Sequence, residues 1–335
     1  MPRKQGNACW KTVAGIFFVS ASALGPAGCK TLTPERIETQ PVERRAANRD
    51  QLLAILDEQS KLLRLAATTR VSILEETSVM PATVVDAVRK ERAKPYKKKF
   101  AEAEVNGSFY LSRDAEGRQN VSMSGEVQGV NGVGFKLLGR DRSFWMLIPI
   151  SEEERNKAIN QGQAEPHGKV LYGTFAADAL RPQDRYCIRP QDFADLLLTA
   201  EAKSALNGQD ICYVEKWADY YVMNFLRPDW PNHIYSKIWF ERKRLTVAIH
   251  QLFDSSGELV AEARFGDYGR YPVSAGSKVK LDVPVRVDFL WPRDRILMRA
   301  AFDGIKLNGD IPAKVFDEHR FEGYPTELIE APPAR

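Results

Sequence analysis

The chain has 335 residues, enough for one large domain or two ordinary ones, and its 44% apolar and 27% charged composition is that of a folded globular protein. The formal net charge is +4, but Arg3, Lys4 and Lys11 supply three of those charges within an acid-free 1–28, leaving +1 for the rest. That balance excludes the basic excess of a nucleic-acid binder, and no apolar run reaches the roughly 18 residues of a transmembrane helix.

Arg3, Lys4 and Lys11 form a positive leader, and Thr12 to Leu24 is an apolar core too short to span a bilayer. Small residues follow, ending in Ala27-Gly28-Cys29. The stretch resembles a bacterial lipoprotein signal peptide, with Pro26 where that motif usually has Leu. The resemblance implies that Cys29 receives a diacylglyceryl group and becomes the mature N-terminus, anchoring the chain to a membrane; the other reading is an ordinary cleaved leader with Cys29 unmodified. The expected organisation is a signal peptide over 1–28, a polar tether over 29–48, one domain over 49–318 and a tail over 319–335. Cys9 falls in the leader, so Cys187 and Cys212 remain, either as a disulfide of an exported protein or as two small buried residues.

Asn48 to Leu65 places Leu52, Ile55, Leu56, Leu62, Leu63 and Ala66 on one helical face, with Asn48 as N-cap and Gln51 three residues on. A short strand is expected at Thr69 to Leu74. Thr83 to Glu104 is rich in Lys and Arg (Arg89, Lys90, Arg92, Lys94, Lys97, Lys98, Lys99) among interspersed acids. A solvated loop or helix accounts for it, and attraction to anionic headgroups is the functional alternative. From Asn106 a period of two returns in four short runs, each closed by Gly, Asp or Pro, and Lys169 to Gly173 adds a fifth. Pro190 to Lys203 reads as a helix with Pro in its first turn and Phe193, Leu196, Leu197 and Ala200 towards the core. Ile211 to Arg227 and Ile234 to Phe240 continue the sheet. Next comes a hairpin, in which Leu245, Val247, Ile249 and Phe253 face inward on one arm and Leu259, Ala261, Ala263 and Phe265 on the other. Asp254-Ser255-Ser256-Gly257 is its turn. Lys278 to Leu290 and Arg295 to Phe302 complete the set, and Glu330 to Arg335 reads as a disordered end.

These elements predict an α+β, mainly β fold of about ten or eleven antiparallel strands. A sheet that large accumulates twist and curls, so a half-open barrel with helices against its concave face is expected. Its apolar interior suits a long apolar ligand.

The order of these motifs is similar to that of the LolA/LolB-like lipoprotein carriers. The resemblance rests on Phe144-Trp145 in a strand ending at Pro149, Tyr172-Gly173, and Ile188-Arg189-Pro190-Gln191-Asp192-Phe193 before a Leu-rich helix. It also rests on the FDSSG turn, the Phe265-Gly266-Asp267-Tyr268 ending and Lys306-Leu307-Asn308. It covers roughly 50–316 and implies a half-barrel that shields acyl chains of lipoproteins in the periplasm. Val79 to Val105 and Glu152 to His167 are longer than in compact members.

No enzyme is indicated. His167, His233, His250 and His319 are scattered, and no HExxH, Walker or G-x-S-x-G element occurs. No metal, cofactor or nucleic-acid partner is expected. Asp184, Asp192 and Asp195 lie near the central helix, the last two as N-terminal acids favoured by its dipole. Trp217, Tyr220, Tyr221, Trp230 and Trp239 form an aromatic zone at the core and rim of the sheet. Two functions stay open. In the first, the protein is anchored at a membrane facing the periplasm, the outer membrane by the resemblance, and it binds acyl chains, lipids or lipoproteins. Its ligand would be lined by Leu52, Ile55, Leu56, Leu63, Phe144, Phe193, Leu197, Leu245, Val247, Ile249 and Phe265. In the second, it is a structural envelope lipoprotein whose cavity its own side chains fill. An open apolar cleft separates the first from the second.

Overall fold

Alternating apolar and polar residues run through most of the chain, and the computed structural model gathers them into one continuous sheet. It describes residues 44–76, 100–114, 117–127, 134–140, 143–149, 156, 159–160, 168–174, 189–199, 201–228, 234–292, 296–322, 324 and 326–329. The leader, Cys29, the basic stretch 79–99, Asp184, Cys187, Trp230 and the end 330–335 lie outside these residues.

The N-terminal half runs α1 (Arg49–Gln59), β1 (Arg64–Glu76), β2 (Phe100–Arg113), β3 (Gln119–Val127), β4 (Gly134–Arg140), β5 (Ser143–Pro149) and β6 (Gly168–Thr174). Two short helices follow, α2 (Pro190–Leu197) and α3 (Glu201–Leu206). Then come β7 (Ile211–Lys216), β8 (Tyr220–Leu226), β9 (Ile234–Glu241), β10 (Val247–Phe253), β11 (Leu259–Pro272), β12 (Lys280–Trp291) and β13 (Ile296–Leu307). Two 3₁₀ turns, Ala313–Phe316 and Glu318–Phe321, lead to β14 (Thr326–Ile329). The strand order is β14-β6-β5-β4-β3-β2-β1-β13-β12-β11-β10-β9-β8-β7. All neighbours are antiparallel except β14, which lies parallel to β6. The count passes the expected ten or eleven because the apolar run from Ile211 conceals the hairpin β7–β8, and because β14 lies within the supposed tail.

Chain order and sheet order together explain the shape. β6 and β7 are consecutive strands, yet β7 is one end of the sheet and β6 lies next to the other, so their connection must travel back across it. That connection carries α2, which packs against β3 and β4 and also against β10 and β11. Six strand spacings separate β3 from β10, about 29 Å in a flat sheet, whereas a helix is only about 10–12 Å wide. The sheet therefore curls around α2, and its ends β14 and β7 stay unpaired with each other.

Phe193 of α2 is the centre of the enclosed face. Its ring meets Phe109 of β2 at 6.1 Å, Phe289 of β12 at 4.8 Å and Trp291 of β12 at 5.4 Å between centroids. A second apolar cluster joins Leu52, Leu53 and Leu56 of α1 with Ala202 and Ala205 of α3 and with β7 to β10. On the outer face of β4 to β6, Phe321 of the second 3₁₀ turn covers Leu138, Leu147 and Val170.

Two local expectations are corrected. Asn48 does cap α1, its side chain accepting from the Gln51 amide while the Gln51 side chain accepts from the Asn48 amide. However, the helix stops at Gln59, and Leu62, Leu63 and Ala66 lie beyond it. The Asn308 side chain accepts from the Leu63 and Arg64 amides at 2.8 and 2.9 Å, which pins the chain to the start of the sheet. Thr68, Thr69, Val71 and Ile73 then favour the strand. In the hairpin, the turn Asp254 to Gly257 forms as expected, with Gly257 at φ 81°. Yet β10 carries a bulge between Val247 and Ile249. The extra residue reverses the alternation, so Ile249 pairs with outward Trp239 and Arg264, and His250 and Leu252 face inward.

Candidate functional site

The helix α2 is held over the sheet by the segment Arg189 to Phe193. Arg189 Nη2 donates to the fully buried Asp192 Oδ1 at 2.8 Å, and Trp291 Nε1 donates to Asp192 Oδ2 at 2.8 Å. Asp192 is thus more than a dipole-favoured acid: it ties the helix start to β12. Asp195, one turn on, accepts from Gln119 Nε2 at 2.8 Å. Burial and the neighbouring acids Asp192 and Glu201 push its carboxyl up to about 6 against the pull of Gln119.

Where α2 hands over to α3, a buried polar group crosses the interior. His250 Nε2 lies 3.0 Å from both Glu201 Oε1 and Ser236 Oγ, and Nδ1 donates to the Leu196 carbonyl at 3.0 Å. Burial opposes charge on both partners, but each one's attraction for the other outweighs it, so His250 is raised and Glu201 lowered. Serine and carboxylate meet the same ring nitrogen, and the group is sealed from solvent, so a nucleophilic relay has neither geometry nor access. Among the described residues no cluster of His, Cys, Asp and Glu could hold a metal ion.

A largely apolar opening lies between the α2 end and β10 to β12. Gln59 at the end of α1, Leu62 just beyond it, Leu196, Leu197 and Thr199 of the α2 end, and Val247, Phe265, Tyr268, Leu281, Asp282 and Val283 of β10 to β12 surround a groove of about 40 Å³. Tyr268 donates its hydroxyl to the Val247 carbonyl at 2.5 Å, and burial raises its pKa, keeping it a donor. Thr199 Oγ1 is buried beside the groove and has no hydrogen-bond partner among the described residues.

Of the residues expected to line a ligand, Leu197, Val247 and Phe265 meet at this groove. Leu52 and Leu56 are fully buried in the α1–α3 cluster, against which Ile55 and Leu245 also pack. Phe144 and Phe193 belong to the filled interior. Leu63 is exposed, and the bulge turns Ile249 to the outer face. Leu281, Val283 and Thr199 were missed: the period of two shows that the first two are buried, but not that they converge on α2. Cys212 is a buried thiol to whose Sγ Arg49 Nε donates at 3.3 Å; its expected partner Cys187 lies outside the described residues. In the aromatic zone Tyr221 joins the core, while Trp217, Tyr220 and Trp239 group on the outer face.

No protein-family model matches the chain, and no curated protein matches its sequence. Solved structures do show a similar fold. A DUF1329 family protein from Desulfovibrio piger is 10% identical, with 81% of this chain and 96% of that one covered at a TM-score of 0.45. A putative outer membrane lipoprotein-sorting protein domain from Vibrio parahaemolyticus is 11% identical, with coverage of 82% and 99% and a TM-score of 0.46. A LolA superfamily protein from Nitrosomonas europaea is 13% identical, with coverage of 82% and 100% and a TM-score of 0.39.

Proposed function

We propose that the protein is a non-enzymatic, membrane-attached component of the cell envelope whose half-barrel binds an acyl chain at the groove between α2 and β10–β12. The observation that carries this reading is the groove itself: the apolar side chains of Leu62, α2 and three strands converge on it, with Gln59 and Asp282 also in its lining, beside one unpartnered hydroxyl, Thr199. Apolar walls with a sparse polar group are the usual make-up of a small-molecule site. At about 40 Å³ the groove admits little more than one water-sized group, so the closed form must open for a chain to enter. Each methylene buried contributes about 0.8 kcal/mol, which offers a driving force for that opening. The leader and Cys29 support attachment through an N-terminal lipid.

The filled interior around Phe193 favours a second reading, in which the same fold is a scaffold with no cargo. Displacement of a fluorescent fatty acid separates the two. Binding that Leu197→Asp weakens at least about tenfold supports the acyl site, since a charge placed in an apolar wall is costly to desolvate. Thr199→Val should weaken binding while leaving the melting temperature level or slightly raised, because it removes a buried hydroxyl that the empty protein leaves unpaired. No binding by the wild type would sink the acyl site and leave the scaffold.

A further inference from the structure

The two ends of the sheet are unlike. β14 is four residues long and lies parallel to its neighbour, a blunt end. β7 is six residues long, carries no proline, and pairs with β8 without a bulge. Trp217 N donates to the Tyr220 carbonyl across the β7–β8 turn, so the odd-numbered residues of β7 turn their backbone groups towards β8. Cys212, Val214 and Lys216 therefore turn theirs outward, and Arg49 Nε accordingly reaches the Cys212 carbonyl from outside at 3.2 Å. The side chains alternate between the two faces, and the outer set includes Glu215, whose carboxylate accepts from Trp217 Nε1 at 3.1 Å and Asn224 Nδ2 at 3.0 Å. Ile211, Tyr213 and Trp217 stand 59%, 42% and 55% exposed on the outer face. On the opposite side the edge carries the Arg49 guanidinium, which pairs with exposed Asp50 Oδ1 at 3.3 Å, and exposed Lys216, which has no ion-pair partner among the described residues.

The geometry points to β7 as a docking edge for an extended segment of a partner protein in which apolar and acidic side chains alternate. Its backbone would pair with Val214 and its neighbours. Its apolar side chains would cover Ile211, Tyr213 and Trp217, and its carboxylates would face Arg49 and Lys216. A second copy of this chain fits less well, because antiparallel pairing about Val214 would set Lys216 of one copy beside Arg49 of the other. This edge is remote from the acyl groove and independent of its function.

The probe is a blocked seven-residue peptide of alternating valine and glutamate, titrated by isothermal calorimetry against the full chain. Binding is expected, and the same peptide with lysine for glutamate should bind at least about tenfold more weakly. Val214→Pro removes an outward amide without touching the β7–β8 ladder, so it should keep the melting temperature and lose about tenfold in affinity, the scale of one backbone hydrogen bond. Equal binding of both peptides, unchanged affinity in a folded Val214→Pro, or no binding at all overturns the proposal. Should Val214→Pro fail to fold, Lys216→Glu serves instead: it should favour the lysine peptide, and unchanged preference overturns the proposal. Dimerisation that the valine–glutamate peptide does not disrupt would assign the edge to a second copy and likewise overturn it.

Discussion

His250 illustrates how one residue can stabilise a fold only within a range of pH. Its pKa is raised above the ordinary 6.5, so its contribution is complete below that value and is lost as pH rises through the raised one. Glu201 is lowered from 4.5, so its contribution is complete above 4.5 and is lost as pH falls through the lowered value. The pair therefore stabilises most between about pH 4.5 and 6.5. Glu201→Gln should cost on the order of 3 kcal/mol in that window and less above it, as urea midpoints across pH 4 to 9 would reveal. A loss independent of pH would mean that His250 is neutral. Asp195 behaves in the opposite sense. A carboxyl raised from 3.8 to about 6 favours the fold below 3.8, and that advantage disappears as pH rises through 6. Part of its surface stays open to solvent, which moderates the effect. Asp195→Asn keeps an acceptor for Gln119 and should melt higher than the wild type at pH 8 but level with it below pH 4.

The element on which the architecture depends is α2, and its seat on β4 is narrow. A Cβ at Gly139 would lie 2.3 Å from Cβ of Pro190, the first residue of the helix. The obstruction is a proline ring on a helix fastened by Asp192 to Trp291, so it cannot swing aside. Gly139→Ala should therefore cost about 1–3 kcal/mol as an overpacking defect, lowering the melting temperature without changing the secondary structure seen by circular dichroism. A variant that melts with the wild type would show that α2 rides more loosely than this. The motif Arg189-Pro190-Gln191-Asp192-Phe193 thus acts mainly as a mount. Its arginine, aspartate and phenylalanine each fasten the helix, and the proline fixes how closely the helix approaches the sheet. Asn308 does the same for the other end of the fold. Its backbone sits at φ 46°, a conformation Asn tolerates better than most residues, and its amide nitrogen donates to the Lys61 carbonyl at 2.8 Å.

At the scale of the molecule, the sheet is joined by its first and last long strands, β1 and β13, which pair over ten positions from Leu65 to Glu75. The segment after β13 is not needed for that seam, but it covers the outer face of β4 to β6. A chain ending at Asn308 should leave Leu138, Leu147 and Val170 uncovered, bind a hydrophobic dye and melt several degrees lower, since losing the buried Phe321 alone removes about 1.5–3 kcal/mol. A chain ending at Glu322 keeps Phe321, loses β14 and the partly buried Tyr324, and should melt closer to the intact protein than the chain ending at Asn308. If both truncations melt alike, the 3₁₀ turns do not cover that face in solution.

What the sequence determined by itself is set by local chemistry. The period of two, the Asn48 capping box, the Asp254–Gly257 turn and proline at the start of α2 each act within a few residues, so strands, caps and turns were legible without any tertiary contact. The curl of the sheet was legible too, from strand number and twist. Tertiary structure decided what long-range pairing controls. The bulge in β10 reverses its inward set because Val247 and Ile249 must meet Phe240 and Trp239, which no alternation within β10 announces. After Gln59 the amides of Lys61 and Leu62 close the last turn of α1 on Glu58 and Gln59, and the chain then passes into β1 where a side chain some 245 residues away takes the Leu63 and Arg64 amides. Above all, the sequence left open whether the interior is an apolar cleft or a packed core, and around Phe193 it is packed. A half-barrel's concavity is emptied or occupied by whatever connection must cross it, and here the return path from β6 to β7 lays Phe193 at its centre.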